Sequence, residues 1–384
     1  MNLLKRSTKV FIDKMSNGIF ATHGKLNFRN MSRYIDIDEK TISRNYKKAD
    51  LVDITQMNNL GIREIFKEEN KNILAIDCSF IKKSGNKTYG LDKFWDGKNV
   101  KANKGLEISL LSLVDTTYNT AYSINVVQTP SKFESDESRV LHYLKQLEDN
   151  KEYFKEVNFV VGDGFYSKKT FVDGVKEMGK SYVGKLRSDA NLRYIYDGEQ
   201  TGLKGANKKY DGKVFYDKHE FDYVITLKKG QDVYTKVVNS IFLKSEIRIV
   251  FLVNKYKKHR ILFSTDINLS ALDILDYYSS RFQIEFLFRD SKMYTGLEDC
   301  QSTDKKILDT HFNMSLFALN LAKIEDRILK GEDNQLSFSM LNYKVVSSNM
   351  RILDLFIHKF DVDMSYEKMR LAYDEMLTIG TIAC

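Results

Sequence analysis

Three acidic residues stand where acids are unusual. Asp77 interrupts the apolar run NILAIDCSFI, Asp163 closes another in NFVVGD, and Glu285 lies within the helical pattern LSALDILDYYSSRFQIEFLFRDSKMYTG. Burying an unpaired carboxylate in an apolar strand is costly unless a metal ion or a partner charge compensates it. The glycines flanking Asp163 leave room for another group to approach the carboxylate closely. If the two strands are parallel neighbours, two carboxylates meet at one end of a sheet. For each Asp taken alone, a cap on a helix or turn is the competing reading.

The helical pattern supplies the third carboxylate with company. Tyr278, Arg281, Glu285 and Lys292 stand at offsets of 0, 3, 7 and 14. On one continuous helix at about 100° per residue they fall within roughly a 60° sector of a single face. A solvated charged face would look the same, and so would an Arg281–Glu285 pair at i,i+4, worth only about a few tenths of a kcal/mol.

The spacing Y-x2-R-x3-E-x6-K resembles the signature of the insertion-sequence DDE transposases that carry the Y-R-E-K motif, and all four positions match. The order is also similar: a first Asp on the first strand, a second at the end of the fourth, a β-rich insertion, then Glu on a helix. The resemblance covers roughly residues 72–322, and GLDKFWDGKNVKANKGLEISLLSLVD and GKLRSDANL look like family sequence too. It implies an α/β fold, with an RNase H-like core (a mixed five-stranded sheet with helices) interrupted by a β-rich insertion and flanked by helical N- and C-terminal segments. It further implies that Asp77, Asp163 and Glu285 are catalytic and hold two Mg²⁺ or Mn²⁺ ions, since hard oxygen ligands suit those cations. Tyr278, Arg281 and Lys292 would then contact DNA near the scissile phosphate. The partners implied are double-stranded DNA, both the terminal repeats of the element and the target, and a second copy of the chain, because two ends must be brought together. Relatives that excise through a DNA hairpin flip a base onto an aromatic ring, often Trp, in the insertion. The only tryptophan here is Trp95, outside that segment, so Tyr194, Tyr196 or Tyr223 would have to substitute or the hairpin route is absent.

The elements that must position these residues follow from pattern. Residues 1–70 read as short helices, one of them from about Asp38 to Lys48, presenting Arg44, Lys47 and Lys48 as a DNA-reading helix would or as an ordinary solvated basic helix does. NILAIDCSFI, LEISLLSLVD and AYSINVV read as strands, followed by helix, strand, helix and strand, giving the order β-β-β-α-β-α-β. Residues 191–263 alternate like strands with no obvious helix, residues 269–296 read as one long helix, and helical segments run on to about Leu377. The expected domains are a helical DNA-binding domain at 1–70, a catalytic core at 71–190 and 264–330, a β-rich insertion at 191–263, and a helical C-terminal region at 331–384.

Composition agrees with a folded protein that binds a polyanion. The chain has 384 residues, 42% hydrophobic, with a formal charge of +8, and the positive charge gathers at 1–48 (11 Lys/Arg against 4 Asp/Glu) and 191–262 (15 against 8). Such a balance favours nucleic acid or an anionic surface. No apolar run approaches a membrane span and the N-terminus lacks the apolar core of a secretory signal, so a cytoplasmic protein is expected, nucleoid-associated when bound to DNA. Cys78, Cys300 and Cys384 show no CxxC spacing, and reduced, buried thiols are expected. No GxxxxGK[ST] loop, HExxH pattern or nucleophile elbow is present, and His142 and His311 read as helix-surface or core residues. Two other functions share the same residues: an RNase H-like nuclease without strand transfer, and a transposase-derived DNA-binding protein without chemistry.

Overall fold

Asn27, Asp38 and Asp50 each accept a hydrogen bond from a backbone N–H two or three residues on, and each starts a helix. After α1 (Arg6–Ala21) these give α2 (Phe28–Met31), α3 (Glu39–Lys48) and α4 (Leu51–Arg63). The computed structural model describes residues 6–68, 71–200, 207–228, 230–254, 259–331 and 337–382.

β-branched and apolar side chains then build β1 (Asn72–Lys82), most of β3 (Lys101–Asp115) and β4 (Thr120–Gln128), while the short, largely charged β2 (Asp92–Asp96) is held by pairing with β3. β1 lies antiparallel to β3 over its whole length, from Asn72 opposite Asp115 to Lys82 opposite Gly105. β2 and β4 share the other side of β3, β2 along Lys101–Gly105 and β4 along Ile108–Asp115. Next come α5 (Arg139–Asp149), β5 (Phe159–Val161), α6 (Lys169–Glu177) and β6 (Ser181–Leu186), with β5 parallel to both β1 and β6. The β-β-β-α-β-α-β order is therefore present, with β2 as one further strand that its five-residue length hid among turn residues.

β7 (Leu192–Ile195), β8 (Tyr210–Lys213), β9 (Asp222–Leu227), β10 (Gln231–Ser240), β11 (Ser245–Val253) and β12 (His259–Ser264) follow. β12 pairs antiparallel with β6, so these strands continue the same sheet rather than forming a second one. The result is a mixed α/β fold built on a mixed sheet of twelve strands among the described residues, in the order β2-β3-β1-β5-β6-β12-β11-β10-β7-β8, with β4 on β3 and β9 on β10.

The expected long helix is two: α7 (Ala271–Ser280) and α8 (Gln283–Tyr294). Between them the amides of Phe282, Ile284 and Glu285 donate to carbonyls three residues back, those of Ser279, Arg281 and Phe282. This 3₁₀-type turn advances more steeply per residue than an α-helix, so a single stripe does not run from Tyr278 to Lys292. After these, α9 (Lys305–Lys330) is buried on almost every side over its first two-thirds. Its Asn313 and Asn320 exchange hydrogen bonds with the backbone of Val126 and Ser123, occupying the free edge of β4 where another strand would otherwise pair. α1, α3 and α4 pack on α9. α10 (Met340–Phe360) crosses α1, α8 and α9 and carries α11 (Glu367–Leu377), in which no residue is buried. No helix among the described residues is long and apolar enough to cross a membrane.

Candidate active site

Register places the first two carboxylates. β1 and β5 pair in parallel with Leu74 opposite Val160 and Ala75 opposite Val161. Carried two residues further, that register sets Asp77, in the middle of β1, level with Asp163, two residues past the end of β5. The two-residue period also sets their face. Ile73, Ala75 and Val161 pack with α7, α8 and α9, whereas Leu74, Ile76 and Val160 pack with α5 and α6. Asp77 and Asp163 therefore belong to the face over which α8 carries Glu285.

Asp77 is mostly buried. Its Oδ1 accepts from the amide of Cys78 at 2.8 Å and its Oδ2 from Nη1 of Arg281 at 2.5 Å. Burial pushes its carboxyl up to about 6, Arg281 pulls the other way, and the negative charges of Asp163 and Glu285 push it up further. The fields of all three carboxylates thus meet at one place. Asp163 is half-buried, its Oδ1 accepting from the amide of Phe165 at 2.7 Å and its carbonyl from the Tyr182 hydroxyl at 3.3 Å. The glycines beside it differ in what they do. A side chain on Gly162 would run into the Tyr182 hydroxyl and the body of Tyr166, so this glycine serves internal packing, while a Cβ on Gly164 would meet only the Lys185 carbonyl oxygen, at an unstrained 3.8 Å. The expectation that both leave room for an approaching group holds for Gly164 alone.

Glu285 is exposed, with Nη2 of Arg281 at 3.6 Å. Arg281 is mostly but not fully buried, its Nε has no hydrogen-bond partner, and its guanidinium stands 5.8 Å from the ring centre of Tyr278. Burial raises the Tyr278 hydroxyl, with Arg281 opposing and Asp163 adding to the shift. Tyr278, Arg281 and Glu285 are therefore gathered with the two aspartates. Lys292 is placed elsewhere: its Nζ donates to the Phe80 carbonyl at 2.7 Å and pairs with Glu298 at 3.1 Å, beyond Asp77 on β1. Arg44, Lys47 and Lys48 sit on α3 against α9, where Arg44 donates to Thr41, Lys47 pairs with Asp304 at 2.8 Å, and Lys48 lines an open cleft with Arg6 and Lys14.

The signal that singled out Asp77, an acid in an apolar strand, also fits Glu107 on β3. Glu107 is buried but accepts from the Tyr143 hydroxyl at 2.8 Å and faces Arg139 at 3.5 Å, so its charge is answered within the fold. Cys78, half-buried rather than buried, sits beside this cluster with its thiol 3.2 Å from the Tyr166 hydroxyl. Cys300 is buried, and Cys384 lies outside the described residues. His311 is buried, its Nε2 2.7 Å from the Gly296 carbonyl, and burial lowers it to about 4.

Among the described residues no three His, Cys, Asp or Glu side chains stand close enough to share one metal ion. Arg281 lies between Asp77 and Glu285. The donor set is nonetheless three carboxylates, one of them desolvated, which is the chemistry that hard divalent cations require.

A family described as the transposase DDE domain matches residues 68–321. No curated protein matches. One solved structure that is similar is the cryo-EM piggyBac transposase synaptic complex with hairpin DNA, at 12% identity and a TM-score of 0.45, covering 99% of this chain and 78% of that chain.

Proposed function

This chain belongs to the transposase DDE domain family, and from that premise we propose that it cuts and rejoins DNA at the ends of its own element, with Asp77, Asp163 and Glu285 as the catalytic carboxylates. The observation that carries this is the level placement of Asp77 on β1 and of Asp163 just past its parallel neighbour β5, with Glu285 brought over them by α8. The finer assignment is to the bacterial insertion-sequence group with the Y-R-E-K signature, with β1, β3, β4, β5 and β6 and their helices as an RNase H-like core. Residues 191–263 are then the insertion, 1–70 the DNA-binding segment presenting Arg44, Lys47 and Lys48, and 331–384 a helical C-terminal region.

Asp77, Asp163 and Glu285 would hold two Mg²⁺ or Mn²⁺ ions. When bound, these supply activation of a water or a DNA 3′-hydroxyl and stabilisation of the leaving oxygen in an in-line displacement. The chain's own residues contribute geometry and charge. The middle of β1 and the loop after β5 would hold two carboxylates at one height, and α8 would add the third. Arg281, held against Asp77, is a guanidinium whose fork suits a phosphate once the carboxylates have another cation. Tyr278 offers a ring and a hydroxyl beside the same point. A homodimer follows from the need to pair two ends, and the protein acts in the cytoplasm on duplex DNA.

The test is cleavage of labelled DNA carrying the terminal repeats, with Mg²⁺ or Mn²⁺, comparing the intact chain with Glu285→Gln. End-specific, metal-dependent cleavage that the variant loses establishes the reading, and joining of the cut 3′ end to a second duplex separates a transposase from a plain nuclease. Binding without cutting under any divalent cation overturns the catalytic assignment.

A further inference from the structure

Residues 82–104 carry seven lysines against two aspartates, a denser positive charge than either basic segment noted from the sequence. Much of this segment is a two-stranded ribbon. β1 ends where Lys82 faces Gly105, and β4 pairs only from Ile108 onward, so β2 and the first five residues of β3 project past their neighbours.

The ribbon has two unlike faces. Phe94 is 1% exposed and packs under the Arg139 guanidinium, 5.0 Å from its ring centre. Asp96 is buried on the same face and accepts from the Lys98 amide at 3.1 Å and from the side-chain amides of Asn99 and Asn103 at 2.7 and 2.8 Å, which pins the turn. The outward face pairs Lys93 directly with Lys104, and Trp95 directly with Ala102. Like charges opposite one another destabilise an antiparallel pair. An alanine opposite a tryptophan leaves the indole uncovered, and Trp95 is 59% exposed. At the tip, Val100 is 71% exposed with φ +51°, a strained conformation for a β-branched residue. Two facing lysines, an uncovered indole and an exposed, strained apolar tip each cost free energy in water, and each is favourable against a polyanion with aromatic or apolar surfaces.

We infer that the β2–β3 ribbon is a second contact surface for duplex DNA, outside the catalytic carboxylates, with Lys93 and Lys104 on phosphates and Trp95 against the sugar–base surface. This rests on the reading that the chain's substrate is DNA. The shape agrees, because a two-stranded ribbon fits the major groove of B-DNA. Asp77 faces Leu110 on β3, nine residues from Lys101. The proposed contacts are nearer, Lys104 six residues and Ala102, opposite Trp95, eight residues from Leu110, so at about 3.3 Å per residue a duplex lying along the ribbon is touched roughly six to eight base pairs from the scissile phosphate.

Trp95 is the only tryptophan, so tryptophan emission, excited beyond the absorption of the 22 tyrosines, reports this ribbon. The experiment titrates a labelled duplex of about 30 base pairs, some three helical turns, into the protein in EDTA, recording label anisotropy and tryptophan emission together, for the wild type and for K93Q/K104Q. The expected result is that Trp95 emission changes in step with anisotropy, that the variant binds roughly tenfold or more weakly, and that its salt dependence is shallower by about two ion equivalents. Both lysines are exposed, so the variant keeps its fold. If anisotropy rises while Trp95 emission stays constant and the variant binds equally well, the ribbon assignment is overturned and the DNA reading stands. If anisotropy does not rise, both fall together.

Discussion

Nη1 of Arg281 lies 2.5 Å from Oδ2 of Asp77, and Nη2 of the same guanidinium lies 3.6 Å from Glu285. One organic cation therefore stands between the carboxylate of the sheet and the carboxylate of the helix. Both Arg281 and Asp77 are largely withdrawn from water, so the attraction is screened less than at a surface, and each would be costly without the other.

Arg281→Gln leaves Asp77 buried without its counter-charge and should lower stability at neutral pH by about 2 kcal/mol, less than the loss for a fully buried pair because Asp77 keeps some contact with water. Urea denaturation of the two proteins measures it, and Arg281→Lys should recover part of the loss. An unchanged midpoint would mean that the pair contributes no net stability.

Asp77 also sets a pH dependence. Its folded value of about 6 lies above the ordinary 3.8, so the native state holds this proton more tightly than the unfolded chain does. The contribution is fully present below about pH 3.8 and is lost as pH rises through 6, a loss on the order of 3 kcal/mol by pH 7. Asp77→Asn should flatten that slope, so the stability difference between variant and wild type shifts in the variant's favour from acid to neutral pH. Parallel curves across the window would sink the claim. Metal affinity should strengthen over the same range, since the carboxyl must be ionised to bind a cation, and calorimetry in buffers of different ionisation enthalpy should register the released proton.

What could be read from the sequence, and what could not, divides by the range of the interactions. Asp77 and Asp163 were legible because a strand reveals a misplaced charge locally, and their meeting needed only that the two strands be parallel neighbours. Glu285 came from spacing, yet the single helix face behind that spacing is absent: the turn at Arg281–Phe282 is tightened, and no propensity in SSRFQ announces it. Lys292 kept its spacing and lost its expected company, because its partners Phe80 and Glu298 depend on how α8 lies across β1. The ribbon was hidden by the brevity of β2, whose pairing with β3 is a tertiary fact. Most of 192–264 read correctly as strands, though a 3₁₀ turn at Lys218–Glu220 interrupts the strand-like stretch 213–227, and that β12 docks on β6 is a choice of partner that local pattern does not encode.

The two glycines around Asp163 separate packing from access. Added Cβ atoms would lie 2.8 Å from the Tyr182 hydroxyl and 2.9 Å from Tyr166 at Gly162, but no nearer than 3.8 Å to anything at Gly164. Gly162→Ala should therefore cost about 2 kcal/mol through overpacking, while Gly164→Ala stays within about 0.5 kcal/mol. Because Asp163 follows Gly162 directly, DNA cleavage by Gly162→Ala should fall further than its stability does when both are measured well below its melting temperature. Equal thermal shifts for the two variants would contradict the packing argument.

Lys292 gives the last prediction, since two roles can be told apart by which species is measured. In the free protein its ammonium holds the Phe80 carbonyl, three residues beyond Asp77 on the same strand, with Glu298 alongside. A charged donor on a half-buried carbonyl is worth about 1 to 2 kcal/mol, whereas the partly exposed pair with Glu298 is worth less. Lys292→Ala should then lower the unfolding free energy of the DNA-free chain by about 1 kcal/mol, Lys292→Arg should restore most of it, and Glu298→Gln should change it little. If Lys292 also leaves this tether to meet a phosphate, the Ala variant should bind duplex DNA with a salt dependence shallower by about one ion equivalent. Lost stability with an unchanged salt slope assigns Lys292 to holding α8 against β1, and a shallower slope with unchanged stability assigns it to DNA.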